Sequence, residues 1–464
     1  MTNRILLAIL MCAAAPAATV PEGFRQAGPG VTRDSADLAV WWKQLHDPQL
    51  DSLIDRAIRY NIDLRVAAAR VAQARALERA QRSTLLPSLS LTSAFNRIRG
   101  GFTQGNVHID QTAGRGSLIS PFETNNFQAG LDASWEADLF GGNRKAVSAS
   151  AADTRSAEEA RRDTLVTVTG EVARAYAELR GLDRRLAITR DTIATESDTL
   201  RLTQVRADAG LATQLDVAQQ TTQLSTTQAA EPALEAARVA AVQRLAVLIG
   251  QQPEALLEEL KAAGELPAAP PVIAAGVPSD LLARRPDVRR AQAEIAAAAA
   301  RLGAARSDLF PKFTITGLTG RQAASFGAFT LGGGNFFGVG PAIQLPIFTG
   351  GRIRANIAVN DARLQEAQAR YEGVMLTALE EVEDALSAYA REEERGEKLR
   401  AAADSARTAV DLARELYTRG LSDFLSVLDA QRAQYATEDS LAQSQTAVVT
   451  NVVALYKALG GGWK

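Results

Sequence analysis

The sequence predicts a mainly α-helical chain, duplicated in tandem, that contributes strands to a transmembrane β-barrel. Three observations predict it. Residues 209–217 read AGLATQLDV and residues 419–427 read RGLSDFLSV, so Gly210, Leu211, Leu215 and Val217 recur as Gly420, Leu421, Leu425 and Val427, 210 residues on. Two long stretches, from Asn143 to about Arg206 and from Arg352 to about Thr418, contain no proline. Several runs of about 10 residues alternate apolar and polar positions, the length that crosses a bilayer as a tilted strand.

The chain begins MTNRILLAILMCAAAPAATV, with a basic residue, a short apolar run and small residues after it. That pattern predicts a secretory signal over 1–17, cleaved near Ala15-Pro16-Ala17. Cys12 supports a second reading, a lipoprotein signal ending before a lipidated cysteine. Both send the chain out of the cytoplasm. No later stretch approaches the ~20 apolar residues of a transmembrane helix.

After the leader, the same order of elements occurs twice. An Ala-rich helical run precedes Pro87 and another precedes Pro311. Each proline is followed by alternation, SLSLTSAF and KFTITGLT. Further strands are expected from Phe127, with Asp132, Glu136 and Asp138 on the polar face, and from Phe337 through Leu345 and Ile347. LFGGNR (139–144) and IFTGGR (347–352) then open the two long helices, their Gly-Gly pairs turning strand into helix. Apolar residues at heptad spacing (Ile357, Leu364, Tyr371; Met375, Val382, Tyr389; Leu441, Val448, Leu455) predict coiled-coil packing. Gly210 and Gly420 are each expected to close a long helix in the left-handed conformation before the chain reverses. Two hairpins of roughly 90 Å follow from the 1.5 Å rise. RLAVLIG (244–250) and YKALGGG (456–462) end the two halves. The expected domains are a first repeat over 38–250, a linker over 251–277 and a second repeat over 278–462.

Four strands cannot close a barrel, and lipid tolerates no open edge. Three copies would give a twelve-stranded barrel and a tube of twelve helices. A water-soluble sheet has the same alternation, and a soluble coiled-coil rod the same heptads. The secretory leader and the acids on the second strand face favour the membrane barrel.

Composition narrows the function. Aromatics are 5% of residues against 46% hydrophobic overall, which suits close packing of Ala, Leu and Val between helices. The net charge of −2, from 51 basic and 53 acidic residues, gives no case for nucleic acid. Cys12 is the one cysteine and His46 and His108 are the two histidines. With no phosphate loop, no G-x-S-x-G and no Cys/His constellation, no catalytic centre, cofactor or metal is expected. The acidic run Glu380, Glu381, Glu383, Asp384 and Glu392–Glu394 is expected to be a charged helix face.

Three stretches carry a family resemblance: LLARRPDVRRAQAEI (281–295), WWKQLHDPQLDSLIDRAI (41–58) and ALYKALGGGW (454–463). They resemble the outer-membrane efflux proteins of the TolC family, NodT-type branch, from about Trp41 to the C-terminus. The resemblance implies a trimer in outer-membrane lipid, with a β-barrel, a periplasmic α-barrel and a mixed equatorial region. It implies a periplasmic adaptor and an inner-membrane pump as partners, often of the resistance–nodulation–division class, and passive export of drugs, metals or other small molecules. Outer-membrane ducts of type I protein secretion and non-transport periplasmic coiled-coil scaffolds are the alternatives. Members of this branch often carry a clear lipobox followed by Gly-Pro-Asp-Tyr, whereas here Cys12 precedes AAAPAATVPEGF.

The resemblance places the adaptor-contact motif at Gly210, Leu211 and Ala212 and at Gly420, Leu421 and Ser422. Arg206, Asp208, Asp216, Arg419 and Asp423 flank these turns. A symmetric ring of acids, Asp208 or Asp423 with Arg419 beside them, could narrow and select a pore. The same charges also suit solvated helix ends. Arg284, Arg285, Pro286 and Asp287 read as a helix start, with Pro at the first position and Asp at the positive end of the dipole.

Overall fold

The computed structural model describes residues 23–25, 31–32, 38–99, 123–274, 277–331 and 334–463. The leader over 1–17, Cys12 and His108 lie outside the described residues. In chain order the elements are β1 (Val31–Thr32), a 3-10 helix (Leu38–Leu45), α1 (Pro48–Tyr60), α2 (Ile62–Ser83), β2 (Ser88–Arg99), β3 (Glu123–Ala137), α3 (Gly142–Asp208) and α4 (Gln214–Leu248). The second half runs β4 (Ile273–Ala274), α5 (Pro278–Arg284), α6 (Pro286–Ser307), β5 (Lys312–Ala323), α7 (Phe326–Thr330), β6 (Asn335–Gln344), α8 (Arg352–Thr418) and α9 (Phe424–Ala458).

The duplication is written in the lengths. Helices α2 and α6 each have 22 residues, α3 and α8 each have 67, and α4 and α9 each have 35. The return arms close in the same way. Gly250 and Gly460 both take positive φ, and each is bonded back to the residue three before it (2.9 Å). A 67-residue helix is about 100 Å long and a 35-residue helix about 52 Å. This corrects the expected hairpins of roughly 90 Å: the second arm of each is half the length of the first. Each second arm ends at a glycine in the left-handed conformation.

Two compact units divide the chain. The first holds the described residues of Met1–Ala72, Arg155–Ala293 and Gln368–Lys464. Its core gathers Trp41 and Trp42, Leu50, Leu53 and Ile54 of α1, Val172, Tyr176 and Leu179 of α3, Leu245 and Ile249 near the end of α4, Val382 and Leu386 of α8, and Val452 and Tyr456 of α9. Trp41 stacks on Tyr456 with ring centroids 5.1 Å apart. The linker after α4 is strapped down by a buried charge cluster. Asp183 accepts from Arg180 (2.8 Å), Arg238 (2.6 Å) and the Gly264 amide (3.3 Å), while Arg238 donates to the Leu260 carbonyl. Along α8 the heptad positions Met375, Val382 and Tyr389 are buried, and the same seven-residue step continues through buried Ala403 and Val410 to Tyr417.

The second unit holds Gln73–Thr154 and Glu294–Ala367. Its antiparallel sheet has the order β2-β3-β5-β6. Partners across the ladder share a face: Leu91↔Leu131↔Thr319↔Phe337 on one, and Ser90↔Asp132↔Leu318↔Gly338 on the other. The first face also carries Phe95, Phe127, Trp135, Ile315, Val339 and Ile343, and much of it is exposed: Phe337 at 88% and Val339 at 81%. The second face carries Ser88, Thr92, Gln128, Glu136, Thr316 and Gln344.

Two strand ends differ from expectation. Strand β6 stops at Gln344, so Leu345 and Ile347 lie beyond it. Asp138 follows β3 rather than lying on its polar face. Its carboxylate accepts from the amides of Asn143 (3.2 Å) and Arg144 (2.8 Å), where the first turn of α3 leaves donors open.

Candidate functional site: the hairpin tips

Each long helix ends in the same hydrogen-bonded turn. Gly210 (φ 74°) donates to the Ala207 carbonyl (3.0 Å), and Leu211 reaches back to Arg206 (2.8 Å). Gly420 (φ 74°) repeats this with Tyr417 (3.0 Å), and Leu421 with Leu416 (2.9 Å). This pair of bonds is the Schellman motif, and its left-handed residue carries no penalty when it is glycine. No atom outside the turn lies within 4 Å of where a Cβ would sit on either glycine. The constraint is therefore on the backbone conformation, not on space.

The acids beside the turns cap helices. Thr213 heads α4, accepting from the Asp216 amide (3.2 Å), while Asp216 accepts in return from the Thr213 amide (2.8 Å). Asp423 heads α9 at the matching position and accepts from the amide (3.1 Å) and hydroxyl (2.7 Å) of Ser426. Those bonds hold the Asp423 carboxyl below the usual carboxylate range. Arg419 pairs with Glu415 one turn back. Asp208 is exposed at the end of α3. The residues named from sequence thus sit together at two tips, with Asp423 committed to α9.

A contact absent from the sequence expectation joins the tips. The Arg206 guanidinium lies 4.7 Å over the Tyr417 ring and donates to the Thr418 carbonyl (3.1 Å). Tyr417 packs edge-on against Phe424 over a small core with Val427 and Leu428. The signal was present: continuing the heptad from Tyr389 in steps of seven lands on Tyr417. Around this clasp Leu211, Leu215 and Leu421 are exposed at 68%, 65% and 71%, and Leu425 at 49%, forming an apolar set duplicated by the repeat.

The three motif stretches meet elsewhere in the same unit. Arg285 grips Asp287 through two nitrogens (3.0 and 2.8 Å), pairs with Glu381 (2.7 Å) and donates to the Ala458 carbonyl (2.8 Å). Arg289 and Arg162 both pair with buried Glu159, and their guanidiniums lie 5.0 and 4.8 Å from the Trp463 ring centroid. The Gly462 amide donates to the Leu38 carbonyl (2.8 Å) and Tyr456 donates to Gln44 (2.6 Å). Arg285-Pro286-Asp287 is thus a helix start, as expected, and also one strand of a knot. Of the acidic run, Glu381 belongs to that knot and Glu383 accepts from the Arg25 amide (2.8 Å).

The fold is a duplicated plan of long helices ending in glycine turns, with a four-stranded sheet apolar on one face. The family model described as outer membrane efflux protein matches residues 53–251 and 277–461, and the chain belongs to that family. It is 33% identical over 449 residues to the outer membrane protein OprJ of Pseudomonas aeruginosa, covering 97% of this chain and 91% of that one. The pyoverdine export outer membrane protein OpmQ of the same organism is 34% identical over 431 residues, covering 93% and 89%. The solved outer-membrane channel OprN superposes with a TM-score of 0.87 at 33% identity, over 96% of this chain and 97% of that one. The chain is therefore an efflux channel component of the outer membrane.

Proposed function

We propose that three copies of this chain form one exit duct of a tripartite efflux pump. The observation that carries this is the sheet. Among the described residues its outer strands, β2 and β6, have no further strand beside them. One face is apolar and exposed, a combination that lipid permits only if the edges are paired. Pairing β2 of one copy with β6 of the next closes twelve strands, with Asp132 and Glu136 facing the water-filled side. The plan of the chain is a cleaved leader over 1–17, or a lipoprotein signal ending before Cys12, followed by repeats over 38–250 and 278–462 joined by the linker 251–277.

The tips are the docking surface for the periplasmic adaptor, through Gly210, Leu211, Ala212, Gly420, Leu421 and Ser422. The duplicated exposed leucines supply apolar area that a lone helix end would not need. Arg206, held on Tyr417 and Thr418, keeps the first tip against the second, and Asp208, Asp423 and Arg419 line the mouth. Transport energy and substrate choice belong to the inner-membrane pump, and the cargo is small organic molecules. No step needs a catalytic residue.

The test is the mass of the detergent-extracted particle from the outer-membrane fraction, followed by drug susceptibility of a strain lacking the protein. Three chains per particle and restored resistance are expected. A monomer would leave the strand edges open and sink the duct.

A further inference from the structure

Between the two hairpins lies a seam of buried polar groups that the docking and barrel account does not use. At its centre is Glu196 of α3, fully buried. Its Oε1 accepts from Gln223 of α4 (3.0 Å), and its main-chain carbonyl accepts from Gln220 of α4 (3.0 Å). One turn further on α3, Thr199 accepts from Gln431 of α9 (3.0 Å). Gln223 in turn accepts from Arg432 of α9 (2.8 Å). Three helices are tied through one network.

The network is short of donors. Glu196 Oε2, Gln220 Oε1 and Gln431 Oε1 are all buried with no hydrogen-bond partner. A buried acceptor without a donor is destabilising, and more so if charged. The groups facing Glu196 from α4 are Gln220, Gln223 and Thr227, all uncharged. From α9 the charged group is Arg432, whose Nε is bonded to Gln223 rather than to Glu196 and whose Nη1 lies 4.0 Å from Asp429. Along α3 itself the next acid, Asp198, is exposed and pairs with Arg201. A proton on Oε2 removes the charge from a buried oxygen that has no donor. Burial pushes the Glu196 carboxyl above its ordinary value, against weaker opposing pulls from Gln223, Thr227 and Arg432.

We propose that Glu196 is a proton-linked lock between the first hairpin and α9: protonated it lies uncharged in the buried seam, and ionised it loosens α3 from α4 and α9 and favours the open tip. The link to opening rests on the duct reading, whereas the lock itself does not. The sign is fixed by the direction of the shift. Below the ordinary glutamate range both native and unfolded chains hold the proton and nothing is lost. As pH rises through the native value, the stabilisation is lost.

The isosteric substitution Glu196→Gln mimics the protonated group at every pH. Purified trimers of wild type and variant are melted from pH 4 to pH 8.5, with Asp198→Asn as a control of equal charge change. The melting gap between Glu196→Gln and wild type should open as pH rises, while Asp198→Asn shows no such trend. A gap independent of pH overturns the lock. In planar bilayers, wild-type conductance should rise with pH, and Glu196→Gln should stay near the acid-side value throughout. A variant that follows the wild-type profile overturns the link to opening. Protein that conducts at no pH would refute the duct, with the melting gap still deciding the lock.

Discussion

Gly210 and Gly420 occupy a backbone conformation that costs an L-residue about 1–2 kcal/mol, and neither has a neighbour where a side chain would sit. Gly420→Val should therefore disturb the turn through φ alone, and Gly420→Asn, which tolerates the left-handed region, should restore it. Protease nicking near Leu421 and efflux at equal protein level read this. If Asn is as damaging as Val, the glycine serves as a contact surface rather than a turn. Asp423 divides the residue scale differently. Its matching position in the first half is Thr213, also a cap, so capping explains the acid before gating does. Its carboxyl is held below the usual range, so its contribution to α9 is present above the unfolded value and is lost as pH falls through the native one. Asp423→Ser should keep the cap and remove the charge. Unchanged conductance and ion selectivity in that variant would leave Asp423 as a cap only, whereas a gate acid predicts altered selectivity with an intact α9.

At the scale of elements, proline-free runs and paired glycines made the long helices legible, because helix propensity and its terminators are local. The knot was not legible. Arg162, Arg289 and Trp463 are far apart in sequence, and no periodicity reports that two arginines will flank one indole. RRPDV and KALGGGW stood out as motifs without a visible reason to occur together. The structure supplies it: Arg285 binds both the start of α6 and the end of α9, and Trp463 lies between a helix of each repeat. Arg285→Ala should leave Asp287 and Glu381 without their shared cation and the Ala458 carbonyl without its donor, at about 1–3 kcal/mol, since both carboxylates keep some contact with water. Arg285→Lys should recover little, because a point charge cannot replace the two-nitrogen grip on Asp287. Trimer yield after extraction and its melting temperature measure both. Wild-type melting of Arg285→Ala would show that the knot contributes nothing to stability.

The whole molecule depends on which face of the sheet meets lipid, a choice that a period of two leaves open by one residue. The register groups the residues of each face: Phe337, Val339 and Ile343 lie with Leu91, Leu131 and Ile315, while Ala342 lies on the other with Thr314. Alternation alone gave the strands. Among the described residues β2 and β6 have no further strand beside them, and lipid tolerates no unpaired edge, so the sheet raises the requirement for other copies. Two arginine substitutions three residues apart on β6 separate the faces. Val339→Arg puts a charge against hydrocarbon and should cost roughly 2–4 kcal/mol near the midplane, with loss of folded trimer from the membrane. Ala342→Arg points into water and should assemble normally, shifting ion selectivity by three added charges per duct. Heat-modifiable migration of the trimer reads assembly, and reversal potential reads selectivity. If Ala342→Arg blocked assembly while Val339→Arg did not, the lipid face would be the opposite one, and Asp132 and Glu136 would have to face hydrocarbon. Asp132 accepts from the Thr92 hydroxyl (2.5 Å), and a neutral hydroxyl does not offset a carboxylate's charge in hydrocarbon.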